Sequence, residues 1–479
     1  MAPVTNDPRG CPGPRLSAAA ADRRSDQRGS VVLVALCLCT VLAVSVVGFF
    51  AVCARTMELS NRSYVYTTSL LLAENGIEEA MWSLDQALNT SGYSWTGWTL
   101  ATVNGVPTAT KTLTGFTTNT GLQGTVNITV QYYNATASTA YTQPPVIICD
   151  GISQVSDGTQ IDKQLKAIVK PSPLFSNAMG STAAPNAATP SGGYYNSSHV
   201  SFYSDTSPLV DSYDSTVNSG NYTPSPATTN RSDQAIISGP HLSLSNAAIL
   251  GYAATANSSG TLAQFNASGS LKGFSTPGGT QVDTSRETNN GNQNAFSIVA
   301  PSGAGSILPV SGSIGPGYYY YTSGNYYQGW GNTLTITGPT TIYIANGAEF
   351  EGSVVISSSS TGPVQIYVGD YFEVNINLNS SGTGFTNQTK SPANLGIFCN
   401  SPSNAAYYWS NTPFYGVIYV PNADLYIYGS PTSRLYGSVV AYHVISYYAD
   451  FQLHYDLNLR KTNFSMINTP YEVTEWVEN

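Results

Sequence analysis

Residues 31–54 read VVLVALCLCTVLAVSVVGFFAVCA, an uncharged apolar run long enough to cross a hydrocarbon core as one helix at about 1.5 Å rise per residue. Arg9, Arg15, Arg23, Arg24 and Arg28 all precede it. The positive-inside rule therefore keeps the N-terminus cytoplasmic and sends everything after Arg55 outward, which predicts a single-pass inner-membrane protein with a periplasmic or extracellular C-terminal part. A cleavable secretory signal fits less well, since its apolar region is about 7 to 15 residues followed by a small-x-small site. Val52 also stands before Cys53, where a lipoprotein signal carries a small residue.

The helix does not stop at the membrane. Met57, Tyr64, Leu71, Ile77, Met81, Leu84 and Leu88 recur at threes, fours and sevens, the spacing of one helix face. Glu58, Glu74, Glu78 and Glu79 take the wetter positions, and the breaker run Asn89, Thr90, Ser91, Gly92 closes the pattern. This predicts a helix over 30–90, membrane-spanning at 31–54.

The junction DRRSDQRG followed by SVVLV resembles the class III signal of type IV pilins and pseudopilins, and LLLAENGIEEAMWSL resembles the same part of PilX-like minor pilins. The resemblance implies that residues 1–29 are a leader, that a prepilin peptidase cuts between Gly29 and Ser30, that Ser30 is then methylated, and that the chain assembles with other pilin or pseudopilin subunits. Val34 stands at the fifth mature position, where major pilins carry Glu. That departure resembles minor and tip subunits rather than a bulk filament subunit.

Beyond the helix the composition changes. Charged residues are 9% of the chain, Gly number 44 and Tyr 33, against about a quarter charged in ordinary soluble domains. Polarity without charge suits short strands faced with Thr, Ser, Asn and Tyr. A net charge of -9 argues against a nucleic-acid partner, which requires clustered Lys and Arg. TATKTLTGF, GTVNITVQYYN, PPVIICDGISQV and TQIDKQLKAIVK read as four antiparallel strands over 91–172, with the upstream helix covering their apolar face. An Ala/Ser/Pro-rich linker follows at 173–198. Cys149 and Cys399 lie in apolar, strand-like runs and read as buried free thiols, a bridge between them being the alternative.

Repeats decide the expectation for 199–460. FYGVIYVPNADLYIYG from Phe414 realigns on LYGSVVAYHVISYY from Leu435, with Gly416 over Gly437, Ile418 over Val439 and Tyr426 over Tyr447, and GPTTIYIANGAEFEG from Gly338 realigns on GPVQIYVGDYFEVNI from Gly362. Short strands in rungs of slightly over twenty residues predict a parallel β-helix, a β-sandwich being the alternative. The fold class is thus an α+β pilin-like N-terminal unit, then an all-β solenoid, then a tail at 461–479. The two C-terminal passages, with LVDSYDS, also resemble a β-helical domain fused to PilX-like N-termini in bacterial surface proteins.

Catalysis on a β-helix needs carboxylates at set separations or a calcium cluster with a base. Asp205, Asp211, Asp214, Asp370, Glu373, Asp424, Asp450 and Asp456 are the candidates, and in the repeat alignment none recurs one rung from another, Asp424 facing Ile445 and Asp370 facing Asn346. His199, His241, His443 and His454 show no metal spacing. The expectation is therefore a structural subunit with no catalytic residue, no cofactor and no metal. Aromatic clusters at Tyr318 to Tyr321, Tyr326, Tyr327, Trp330, Tyr407, Tyr408 and Trp409 keep a second reading open, an unprocessed membrane-anchored adhesin that stacks these rings on surface polysaccharide.

Overall fold

The structure is a computed structural model. It describes residues 27–478 except 90–92, 118–121, 135–142, 155–159, 185–198, 203–207, 218–221, 223–229, 256–263, 266–268, 289–294, 375–383, 403–404, 411, 430–433, 448–450, 463, 465 and 468–469. Arg9, Arg15, Arg23, Arg24, Asp205 and Asp450 lie outside the described residues.

One helix, α1 (Gln27–Asn89), runs for 63 residues without a proline, about 95 Å at 1.5 Å per residue. Its last third packs on an antiparallel sheet of β1 (Thr99–Val103), β2 (Val106–Thr117), β3 (Gln123–Gln131), β4 (Val146–Gln154) and β5 (Gln160–Pro171). In β3, in β4 and in β5 from Leu165 onward every second residue is buried, as a sheet with one covered face requires. Val126, Ile128, Val130, Ile147, Cys149, Leu165, Ala167 and Val169 meet Leu72, Ala73, Ile77, Ala80 and Leu84 of the helix in one core. The buried helix face starts at Val65 and Leu72, whereas Met57, Tyr64 and Leu71 are exposed. The apolar pattern thus holds at Ile77 and Leu84, Leu72 is buried in place of Leu71, and Met57 and Tyr64 lie before the stretch that carries the sheet.

Two glycine contacts set how closely helix and sheet approach. A Cβ on Gly151 would lie 2.0 Å from the Ser69 carbonyl oxygen and 2.6 Å from the Ala73 nitrogen, and one on Gly76 would lie 2.6 Å from a Val126 methyl. Where the two surfaces touch, Ser69 and Ser153 hydroxyls hydrogen-bond at 2.6 Å, and Ser153 donates to the Val65 carbonyl at 2.9 Å.

The remaining strands form a 22-stranded sheet and a separate four-stranded one. Their order corrects the expected fold class. A β-helix solenoid stacks each repeat on its neighbours in sequence. Here the chain enters mid-stack at β6 (Met179–Ser181), β7 (Val200–Phe202) and β8 (Leu209–Tyr213), and builds one way through Ala235–Gly239, Leu242–Ser245 and Ala248–Thr255. It restarts at the far end with Ser306–Ile307 and Gly317–Tyr321 and works back through Thr340–Ile344, Val364–Val368, Leu395–Cys399 and Phe414–Gly429 to Arg434–Ser446. That last strand pairs with β6 and β7, and Gln452–Asp456 pairs with β8.

Two separately wound segments are therefore joined at an internal seam, and Arg231–Ser232 adds an antiparallel pairing to β8. Neither the expected solenoid over 199–460 nor a C-terminal tail at 461–479 describes this. The tail region supplies Tyr471–Glu478, which pairs antiparallel with β5 and completes the six-stranded sheet.

Hydrophobic stacking crosses the seam without a break. Ile342, Ile366, Ile397, Ile418, Val439, Met179 and Ile237 lie in register on successive strands, each at most 2% exposed. Each such side chain contributes about 1.5–3 kcal/mol of burial, so the join is as apolar inside as any other rung.

Candidate functional site

The helix divides into three stretches. Residues 31–54 are exposed throughout except Cys53, which is half-buried, and nothing among the described residues covers their apolar side chains. This is a helix long and apolar enough to cross a membrane. Residues 55–64 are also exposed, with Arg62 paired to Glu58 at 2.8 Å, and residues 65–88 carry the sheet. The Gly29–Ser30 bond lies within α1, near its start.

The C-terminal strand clips the sheet to the helix at both ends. The Asp85 carboxylate accepts from the Tyr471 backbone N–H at 2.6 Å, and burial pushes its carboxyl up to about 6 against the lowering effect of that hydrogen bond. At the other end, Tyr66 donates to Glu478 at 2.5 Å, while Lys163 lies 3.7 Å from Glu478 and over the Tyr66 ring at 4.3 Å.

The aromatic clusters divide by exposure. Tyr326 and Tyr408 are buried, Tyr318 to Tyr321, Tyr407 and Trp409 are half-buried, and Tyr327 and Trp330 are exposed. In-register packing turns many ring faces toward one another: Tyr407 stacks on Tyr426 at 5.2 Å and 15°, and Tyr428 on Tyr447 at 4.8 Å and 3°. A face packed on its neighbour is not offered to a sugar. Trp330 is 68% exposed. Tyr327 is 52% exposed and its hydroxyl donates to Glu351.

The acids fall into distinct environments. Asp211 is fully buried, and both of its oxygens are occupied: Oδ2 accepts from Arg231 Nε at 2.7 Å and the Tyr222 hydroxyl at 2.6 Å, and Oδ1 is 2.6 Å from His454 Nδ1. Burial, and then the Asp211 charge, push the Tyr222 hydroxyl above the usual phenol range. Asp214 caps a turn by accepting from Thr216. Asp456 is buried, accepts from the Ser215 and Asn458 backbone N–H groups, and is held above the usual carboxylate range by desolvation. Asp370 accepts the Cys399 thiol on its carbonyl at 2.8 Å, and burial pushes that thiol up to about 12. Cys149 and Cys399 are both free and buried.

One carboxylate relation differs from the repeat alignment, and a second, in the register the alignment gives, joins two acids. Asp424 lies opposite His443, not Ile445, because the register shifts between Val420 and Asp424; its Oδ1 is 2.6 Å from His443 Nδ1. Glu373 does meet an acid one rung away, Glu349, in direct register. Burial, then the Glu373 and Glu351 charges, raise the Glu349 carboxyl. Among the described residues no group of three or more His, Cys, Asp and Glu is placed to hold a metal. The Asp211, Arg231 and His454 grouping had no spacing signal to find it, since 243 positions separate Asp211 from His454.

Comparison with known proteins adds three findings. The family model described as "Domain of unknown function (DUF7305)" matches residues 264–462, less than half of the chain. No curated protein matches. Among solved structures, the competence-associated pilin ComZ from Thermus thermophilus is similar at 8% identity, covering 87% of this chain and 98% of that one, with a TM-score of 0.23. So slight a superposition carries no argument about fold or function.

Proposed function

We propose that the chain is a structural minor pilin or pseudopilin-like subunit, anchored in the inner membrane by α1 and displaying its β-rich region outside. One observation carries this reading: a single helix of 63 residues is bare and apolar over 31–54, bare again to residue 64, and built into a folded unit only from Val65 onward. Such a helix has two uses for its apolar surface. In the bilayer it is solvated by lipid; in a filament the same surface packs against other copies or other pilin subunits. The basic leader ending at Gly29 supports processing by a prepilin peptidase, with Ser30 as the new, methylated N-terminus. Val34 at the fifth mature position supports a tip or initiating role. The work is assembly rather than catalysis.

The test is the N-terminal residue and intact mass of the protein recovered from its native membrane and from a sheared surface fraction. A chain beginning at methylated Ser30 is the expected result, and Gly29→Leu should retain the leader and lose assembly. Recovery of chains beginning at Met1 overturns the processing step and leaves an unprocessed anchored surface protein. A start after residue 54 removes the membrane anchor as well.

A further inference from the structure

The chain contains four histidines, and all four lie at the seam where its two wound segments meet. His443 is in Arg434–Ser446 and His454 in Gln452–Asp456, at the end of one segment. His199 directly precedes β7 and His241 directly precedes Leu242–Ser245, at the start of the other. The His443 and His199 rings lie 5.0 Å apart, and His199 stacks on His241 at 5.2 Å and 20°. The backbone follows the same path: Val444 N–H donates to the His199 carbonyl at 2.9 Å, and His199 N–H to the His241 carbonyl at 2.9 Å. His454 reaches across the seam to Asp211 of β8 at 2.6 Å.

We propose that this seam is a proton-operated joint, closed while the imidazoles are neutral and loosened when they take up protons, so that acid separates β6, β7 and β8 from the strands Arg434–Ser446 and Gln452–Asp456. The geometry supplies the mechanism. Asp424 and Asp211 accept hydrogen bonds, so Nδ1 of His443 and His454 carries the hydrogen and Nε2 is the atom that takes a further proton. Both Nε2 atoms are buried without a hydrogen-bond partner, and a new N–H there would be a buried donor with no acceptor. In the three-ring stack, charges on two neighbouring rings would sit about 5 Å apart with little water between them.

The groups around His443 and His454 do not cancel this. Asp424, to which Tyr426 donates at 3.4 Å, balances one charge on His443 only. Asp211 is already shared with Arg231 and Tyr222. The Tyr222 and Tyr436 rings cover His454 at 3.9 and 4.9 Å, and Tyr442 lies beside His443 at 4.4 Å. Asp456, on the same strand as His454, acts in the opposite sense, because burial favours its protonated form. The histidines must therefore be isolated by substitution.

The experiment is hydrogen exchange of the full-length chain in detergent micelles, corrected for intrinsic rates, at about pH 8 and about pH 5.5, the two sides of the imidazole range. Amides in β6, β7, β8, Arg434–Ser446 and Gln452–Asp456 should lose protection on the order of ten-fold for each proton taken up per pH unit, reversibly, while β3 and β4 do not. His199→Phe, which keeps a stacking ring without a titrating one, should lower that acid response. Equal protection at both pH values, or an unchanged acid response in His199→Phe, overturns the proposal. Should His199→Phe not fold, exchange of the imidazole carbon-bound hydrogens in the wild-type chain follows each histidine directly. Titration of His443, His199 and His454 coinciding with seam opening sustains the joint, and titration without opening sinks it.

Discussion

The helix–sheet unit and the parallel region bring distant parts of the chain together in opposite ways. In the first, one long helix lies across β3, β4 and β5, and the last strand, Tyr471–Glu478, returns to close the sheet. Its contacts are held by close backbone approach and a few side-chain clips. In the second, closure is internal: residues 434–456 dock on residues 179–213, and that seam carries a largely buried polar set, with Asp211, Arg231, Tyr222 and the histidines. The lesson is that a seam between non-consecutive strands needs a directional lock that an ordinary rung does not. Because side chains alternate with a period of two, the apolar row through Ile418, Val439 and Met179 excludes a one-residue slip but not a two-residue one.

If that is so, removing the lock should cost the parallel region more than any change in the helix–sheet unit costs that unit. Asp211→Ala leaves the Arg231 guanidinium, the Tyr222 hydroxyl and His454 Nδ1 without their shared acceptor. Breaking a buried pair of this kind costs about 3–5 kcal/mol. Denaturation of the full chain, followed by exchange in β8 and Arg231–Ser232, should locate the loss there and leave β3 and β4 protected. A uniform loss across both regions would show that they unfold as one and that the contrast is only geometric.

The corresponding change in the first region is Gly151→Val. Its Cβ would enter the Ser69 carbonyl, so helix and sheet must move apart, at about 1–3 kcal/mol for overpacking. Protection should fall in β4 and in α1 beyond Val65 while β8 is unaffected. A smaller effect is expected from Tyr428→Ser, which takes one ring from the Tyr428 and Tyr447 stack: about 1 kcal/mol, read as a lower unfolding midpoint of the parallel region alone.

How much of this was legible follows from which interactions are local. The long apolar stretch and the period of the helix could be read because both are patterns along one element. The strand repeats of Thr340–Ile344 and Val364–Val368 fall in the register that alignment gives, Ile342 on Ile366 and Glu349 on Glu373, because their spacing has no irregularity. Asp424 was placed opposite the wrong residue because a register shift lies between Val420 and Asp424, and alignment of a repeat does not see a bulge. The seam itself left no trace: periodicity says that strands stack, not that residue 439 meets residue 179. The return of Tyr471–Glu478 to β5 was hidden for the same reason, a strand pairing being silent about its partner's position.

The finest difference between the two regions is their response to acid, and Asp85 makes it testable in the helix–sheet unit. Its carboxyl is raised from 3.8 to about 6, with burial as the main cause, so folding favours the protonated form. The associated stability is fully present below about pH 4, is lost as the pH rises toward 6, and changes no further above that. At 1.36 kcal/mol per unit, and with a half-buried group discounted for solvent screening, the swing is about 1 kcal/mol. Asp85→Asn keeps an oxygen to accept from Tyr471 N–H and removes the charge. The variant should match or exceed the wild type by about that amount near pH 7.5 and lose the advantage near pH 4, read from exchange in β5 and Tyr471–Glu478. Acid should thus tighten the clip on the C-terminal strand between about pH 6 and 4, just below the range in which it opens the histidine seam. A variant whose pH profile parallels the wild type would mean that Asp85 is solvated in both states, and that the two regions do not oppose each other in acid.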